Sequence, residues 1–271
     1  MVAAFGSLWL QSRTERSIWR IRPDGHVLAR IAGASRSKGP GPFGSIPSGL
    51  DAGFGSVWSL TTDALVRIDP ASNKVVAKLP IALPSAMDVG EGAVWVVCCR
   101  SEVKLLKIDP RTMRAEVFAN LGTSLAALGV GDGYVWWVRS SEGGGMDRVD
   151  PRTGEVLDLQ AAYNDEFVVP TPHWIWLISN GGAQRIDANG SLRDARLTRK
   201  ADQSIGASYV NGTLWINDGG AVGIDATSGA ITARIPASTV KEGLPGGIAQ
   251  LGNHVWVADP EGDSVFGLSL A

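Results

Sequence analysis

Apolar positions along this chain come in short bursts rather than long stripes, and each burst carries a tryptophan. An apolar residue followed by Trp recurs as Leu8-Trp9, Val57-Trp58, Val94-Trp95, Val135-Trp136, Ile175-Trp176, Leu214-Trp215 and Val255-Trp256. Successive tryptophans stand 49, 37, 41, 40, 39 and 41 residues apart, which marks a repeated supersecondary unit of about 40 residues. The stretches around them, such as Ser56-Val57-Trp58-Ser59-Leu60 and His254-Val255-Trp256-Val257-Ala258, are rich in aromatic and β-branched residues and predict strands.

A second strand follows in each unit and ends in a shared turn: Arg67-Ile68-Asp69-Pro70, Lys107-Ile108-Asp109-Pro110, Arg148-Val149-Asp150-Pro151, Arg185-Ile186-Asp187 and Gly223-Ile224-Asp225. Asp bonds its own backbone there, Pro presets φ and Gly accepts positive φ, so the chain reverses into a hairpin. The next strand alternates, as in Lys74-Val75-Val76-Ala77-Lys78-Leu79 and Ala230-Ile231-Thr232-Ala233-Arg234-Ile235. A short strand of small residues precedes each Trp strand, for example Gly49-Leu50-Asp51-Ala52, Ala86-Met87-Asp88-Val89 and Gly247-Ile248-Ala249-Gln250. Small side chains suit the crowding around a central axis.

Four antiparallel strands per unit, repeated about seven times without helical periodicity, predict an all-β fold, a seven-bladed β-propeller of four-stranded antiparallel blades. A stacked solenoid is the structural rival, but no capping ends are visible. One domain spans 1–271, with blades at about 2–33, 49–82, 86–121, 126–161, 166–199, 205–238 and 246–271. The last unit ends at Val265-Phe266-Gly267-Leu268 without an outer strand. Either that blade has three strands, or a strand from upstream of Met1 completes it. In the second case an export signal ahead of Met1 would place the protein in the periplasm or outside the cell; the sequence itself names no compartment.

Composition narrows the function classes. The formal net charge is −2 and the basic residues are dispersed, so the broad positive field of a nucleic-acid binder is missing. No apolar run reaches the roughly 18 residues of a membrane span. A closed ring of blades is expected to be monomeric. Cys98 and Cys99 are adjacent, and neighbouring residues meet disulfide geometry only with strain; the expectation is two small side chains on opposite faces of a strand. With three histidines, His26, His173 and His254, a Cys/His zinc site is not expected.

The segment Gly247-Ile248-Ala249-Gln250-Leu251-Gly252-Asn253-His254-Val255-Trp256-Val257, with Arg-Ile-Asp-Pro and Lys-Val-Val-Ala-Lys-Leu-Pro in other units, resembles bacterial YVTN-type propellers. It is also similar to the virginiamycin B lyase (streptogramin lyase) superfamily. The resemblance implies a propeller over essentially the whole chain. For the lyases it implies a Pro-His-x-Ile start to late inner strands and a Glu after the Trp strand, together holding Mg²⁺ and supplying the base for elimination. Here Pro245-Gly246-Gly247-Ile248 has Gly in the His place, and Ile205-Gly206-Ala207 also lacks it. Asp218 and Asp259 keep a carboxylate after the Trp strands. Streptogramin lyase activity is therefore not expected.

Two groups of residues are candidate sites. The loops between the Trp strand and the next strand carry Arg13, Asp63, Arg100, Arg139, Asp218 and Asp259 around one rim of the tunnel. Such a ring would bind a protein, peptide or small polar ligand through charge-assisted bonds. Asp51 and Asp88 hold equivalent places on adjacent inner strands and are expected to face the tunnel, where two close carboxylates would raise one pKa or hold Ca²⁺ or Mg²⁺. No cofactor is required by either arrangement. No residue spacing forms a recognisable catalytic triad. The leading expectation is a noncatalytic binding scaffold; the alternative is a metal-assisted lyase or hydrolase.

Overall fold

The computed structural model describes residues 1–12, 15–35, 49–99, 102–122, 127–139, 145–159, 167–179, 182–193, 206–217, 220–236, 247–259 and 264–270. Among them the chain forms 26 strands in seven antiparallel sheets, with no helix. Blade one is β1 (Val2–Ala4), β2 (Ser7–Ser12), β3 (Ser17–Ile21) and β4 (Val27–Ala32); blade two is β5 (Leu50–Gly53), β6 (Ser56–Leu60), β7 (Ala64–Asp69) and β8 (Lys74–Pro80). Blade three comprises β9 (Ala86–Gly90), β10 (Ala93–Cys98), β11 (Val103–Ile108) and β12 (Ala115–Gly122), and blade four β13 (Ala127–Gly131), β14 (Tyr134–Val138), β15 (Met146–Val149) and β16 (Val156–Asp158). Blade five has β17 (Phe167–Thr171), β18 (Trp174–Ser179) and β19 (Gly182–Ile186); blade six has β20 (Ala207–Val210), β21 (Thr213–Asn217), β22 (Gly220–Asp225) and β23 (Ile231–Pro236). Blade seven is β24 (Ile248–Leu251), β25 (His254–Asp259) and β26 (Ser264–Ser269). Each sheet is a simple meander in chain order, as the hairpin turns predict.

The repeated tryptophans are what join the sheets. Each lies on the second strand of its blade and packs into the face of the next: Trp9 meets Leu50 and Val57, Trp58 meets Met87 and Val94, and Trp95 meets Leu128 and Val135. Trp136 meets Val168 and Ile175, Trp176 meets Leu214 and Ile216, and Trp215 meets Ile248 and Val255. Trp256 then meets Leu8 and Ile21 of blade one, so the ring closes. That last contact decides against an open solenoid, in which the first and last units never touch.

A second row of bonds, unforeseen from the sequence, crosses the same boundaries. The residue paired with each Trp on the third strand is Arg20, Arg67, Lys107, Arg148 or Arg185 in blades one to five. Its cationic group reaches the turn of the following blade and donates to a main-chain carbonyl. Arg20 donates to Pro70 at 2.5 Å, Arg67 to Pro110 at 3.2 Å, Lys107 to Pro151 at 2.7 Å and Arg148 to Ala188 at 2.6 Å, while Arg185 donates to Thr227. On the way, four of these cations lie over the Trp of their own blade, at 5.0 Å for Arg20, 5.7 Å for Arg67 and 5.6 Å for Lys107 and Arg185. The Arg of Arg-Ile-Asp-Pro is thus an interblade clasp, and the Pro carbonyl of the next repeat is its socket.

Blades six and seven carry Gly223 and Gly267 at the clasp position. A Cβ at Gly223 would stand 2.9 Å from the Trp215 ring, and one at Gly267 would stand 3.2 Å from the Trp256 ring. There the indole lies on the neighbouring backbone itself and leaves no room for a side chain.

The turn aspartates behave as their motif demands. Asp69 accepts the amides of Ala71 and Ser72, Asp109 those of Arg111 and Thr112, and Asp150 those of Arg152 and Thr153. All three carboxyls lie below the ordinary range: the Ser72 hydroxyl on Asp69 and the Arg152 guanidinium on Asp150 favour the ionised form most, with the backbone amides adding to them, and on Asp109 the Thr112 and Arg111 amides lead.

Replacing Arg67 with Ala is expected to cost about 2 kcal/mol, since it removes charge-assisted bonds to Pro110 and Ser56. Arg67→Lys should recover most of the loss, because Lys107 performs the same task in blade three. Gly223→Arg, which restores the repeat on paper, should destabilise because the Trp215 ring fills the space. Chemical denaturation of the three variants checks the ranking.

Candidate functional site

The inner strands place one residue per blade opposite the repeated Trp: Val2, Asp51, Asp88, Gly129, Val169, Ser208 and Ala249. Cross-strand partners share a face, so Asp51 and Asp88 point the way Trp58 and Trp95 point, toward the following blade. Asp51 Oδ2 accepts the Val89 N–H at 3.0 Å, and Asp88 Oδ2 accepts the Val130 N–H at 2.7 Å. The Val89 N–H is shared with Asp88 Oδ1 at 2.8 Å.

The two carboxyls also act on each other, and since a carboxylate oxygen cannot donate, a hydrogen bond between them requires a proton on one. Both side chains are half-buried, and loss of hydration pushes both acids upward. Asp88 rises well above the usual range, because the charge on Asp51 adds to its own desolvation. Burial lowers the Met1 amino group to about 6, and only in its charged form does it draw Asp51 down.

As a cation site this donor set is thin. Three of its four oxygens already accept backbone N–H groups, whereas Ca²⁺ takes six to eight oxygen ligands. No group of three or more metal-binding side chains occurs among the described residues.

At the rim, Arg13, Arg100 and Asp218 lie outside the described residues. Asp259 ends β25, its backbone paired with Ser264. Asp63 is exposed, bonds Thr61 Oγ1 at 2.9 Å and pairs with Lys78 at 3.5 Å. Arg139 forks onto Asp147 at 2.7 and 2.8 Å and reaches Asp158 at 3.1 Å. Each of these two described rim charges therefore has a partner within its own blade.

Asp147 is a residue that the sequence reading passed over. It is 4% exposed, and desolvation raises its carboxyl despite the pull of Arg139. The signal was present: one position before the clasp Arg, blade two has Val66 and blade three Leu106, but blade four has Asp147.

The cysteines need a correction. Cys98 and Cys99 are joined as a disulfide between neighbours in sequence. Their side chains would alternate only while the strand continued, but β10 ends at Cys98 and Cys99 takes φ 71°. That turn brings the second sulfur back toward the first. The pair sits at the rim end of blade three, with the Cys99 N–H bonded to the Ala82 carbonyl at 3.3 Å.

The acid pair makes stability depend on pH with a definite sign. A carboxyl with a raised folded pKa holds a proton that the unfolded chain releases, so its contribution is present at low pH and lost as pH rises through the folded value. Asp88→Asn keeps a donor for Asp51 and an acceptor for Val130 without the charge. Its melting temperature should exceed that of the parent at pH 7, and the difference should shrink toward pH 4. Melting curves at several pH values test this; a difference that does not change with pH contradicts a proton held by the pair.

No protein-family model matches the chain, and no curated protein matches it. Solved structures do. Hydrazine synthase from Kuenenia stuttgartiensis superposes with a TM-score of 0.70 at 14% identity, covering 98% of this chain and 93% of that one. The computationally designed Ika8 protein gives 0.62 at 13% identity over 98% of this chain and 81% of its own. A protein of unknown function from Bacteroides thetaiotaomicron gives 0.58 at 14% identity, with 93% and 81% covered. At such identities the likeness establishes the propeller architecture and nothing narrower.

Proposed function

We propose that this chain is a noncatalytic propeller scaffold that binds a protein, peptide or small polar ligand at the loop rim between second and third strands. One observation carries the reading: the two ends of the blades are built differently. At the turn end, the third-to-fourth turns repeat one another and supply the sockets for the interblade clasps of blades one to five. At the rim end the loops share no such pattern, running from Thr61-Thr62-Asp63 to the glycine-rich stretch after Arg139. Variable loops on a rigid frame are where binding residues collect. The perturbed carboxyls Asp51, Asp88 and Asp147 are each engaged by neighbouring groups of the fold, which supports binding over acid–base chemistry.

Screening the intact protein against a peptide library and a panel of polar metabolites by thermal shift tests the proposal. A binder should raise the melting temperature, since it stabilises only the folded state. The rise should fall in the combined variant Asp63→Ala, Asp218→Ala, Asp259→Ala. Turnover of a panel member, or binding indifferent to these rim changes, contradicts the reading. Millimolar Ca²⁺ or Mg²⁺ should leave the melting temperature unchanged. A rise abolished by Asp88→Asn would instead favour the metal-assisted lyase or hydrolase.

A further inference from the structure

Seven hairpins, all within the described residues, join the innermost strand of each blade to its Trp strand. They ring the tunnel mouth at the turn end, opposite the rim. Five of them set a residue before a glycine: Phe5-Gly6, Phe54-Gly55, Glu91-Gly92, Asp132-Gly133 and Asn211-Gly212. In these five the first residue takes φ between 48° and 54°, and the glycine also takes a positive φ. Such two-residue turns match the twist of a hairpin.

Asn, Asp and Gly adopt that backbone at little cost, but a bulky aromatic residue does not. Phe5 and Phe54 nevertheless hold it at φ 52°, and they stand 42% and 45% exposed. Neither backbone preference nor burial accounts for phenylalanine at these two positions. Strain kept at an exposed apolar group points to a partner that covers it.

The two aromatic residues are neighbours around the mouth, because β1 lies beside β5. Arg20 ties their blades at this end, donating to the Phe5 carbonyl at 3.4 Å and to Asn73 Oδ1 at 2.9 Å. The next two hairpins are acidic. Gly53 packs so closely on blade three that an added Cβ would stand 2.5 Å from the Val89 side chain, which sets the Glu91 hairpin beside Phe54. Glu91 Oε1 accepts the Gly133 N–H at 3.0 Å, so its carboxylate leans over the hairpin that carries Asp132. The nearby Arg152, which feels the charge of Glu91, is held by Asp150 at 3.1 Å. One arc of the mouth is therefore aromatic and the adjoining arc acidic, and none of the seven hairpins contains Lys or Arg.

We propose that this mouth is a docking surface for a segment of a partner protein that sets an apolar side chain beside an arginine. The apolar side chain covers Phe5 and Phe54, and the guanidinium bonds the carboxylates of Glu91 and Asp132. Arginine suits the junction better than lysine, since its plane stacks on an aromatic face while its N–H groups fork onto a carboxylate. Complementary charge at the edge of an apolar anchor fixes which way the segment lies. The surface is at the end of the tunnel away from the rim, so it stands or falls independently of the rim proposal.

A fluorescein-labelled peptide of four Leu-Arg repeats is the probe, read by fluorescence anisotropy with the intact protein at low salt. It should bind, and its Ser-Arg and Leu-Glu counterparts should bind about tenfold more weakly. The joint variant Phe5→Asn, Phe54→Asn should weaken the Leu-Arg peptide about tenfold. That variant should also melt about 2 °C higher than the parent, because asparagine accepts the positive φ. Glu91→Gln with Asp132→Asn, which keeps an acceptor for the Gly133 N–H, should weaken the peptide by a similar factor. Asp63→Ala, on the rim, should leave binding unchanged. A Leu-Arg peptide that does not bind, a Ser-Arg peptide that binds equally well, binding that survives either joint variant, or binding lost on Asp63→Ala overturns the proposal. A dimer in light scattering that the phenylalanine variant dissolves assigns the surface to a second copy and overturns it as well.

Discussion

The burial of one indole between each pair of neighbouring sheets is the contact on which this molecule depends. A buried Trp removes roughly 150–250 Å² from water, worth about 4–6 kcal/mol at the usual area coefficient. The charge-assisted bonds that cross the same boundary are worth about 1.5–3 kcal/mol each. Sheet cohesion is therefore apolar first, and the clasps refine it. This order explains why the ring tolerates glycine at the clasp position in blades six and seven, but has Trp in all seven second strands.

The indole N–H groups record how the repeat loosens along the chain. Trp9, Trp58, Trp95 and Trp136 each donate to the carbonyl five residues earlier, at 3.0 or 3.1 Å. Trp176 donates instead to Ala226 and Trp215 to the side chain of Gln250, both in the following blade. Trp256 Nε1 is buried without a partner among the described residues. The apolar contact is kept through all seven boundaries while the polar one is exchanged and finally dropped. That is the behaviour expected when area dominates and hydrogen bonds adapt to whatever backbone is near.

Local signals carried most of the fold. Trp spacing, Asp-centred turns and alternating strands are properties of a few neighbouring residues, and the structure places them as read. Less legible were features that depend on which blade sits beside which. Arg67 and Pro110 are 43 residues apart, and nothing local says that one is the donor and the other the acceptor. Asp51 and Asp88 were recognisable as equivalent, but their direction follows from sharing a face with Trp58 and Trp95. Cys99 departs from strand geometry only because β10 stops one residue short of it. Much of the candidate rim, including Arg13, Arg100 and Asp218, stands outside the described residues, so sequence remains the sole witness there.

The acid pair is best understood through what surrounds it in the ring. At the position opposite the Trp, the other blades carry Val2, Gly129, Val169, Ser208 and Ala249, none of which ionises. Asp51 and Asp88 reach across a boundary at the innermost strands, and each finds a backbone amide of the next blade. They thus tie blades two, three and four together near the axis, inside the radius at which the tryptophans act. The N–H groups of Val89 and Val130 take three of the pair's four oxygens, and the geometry is that of a structural clasp between blades.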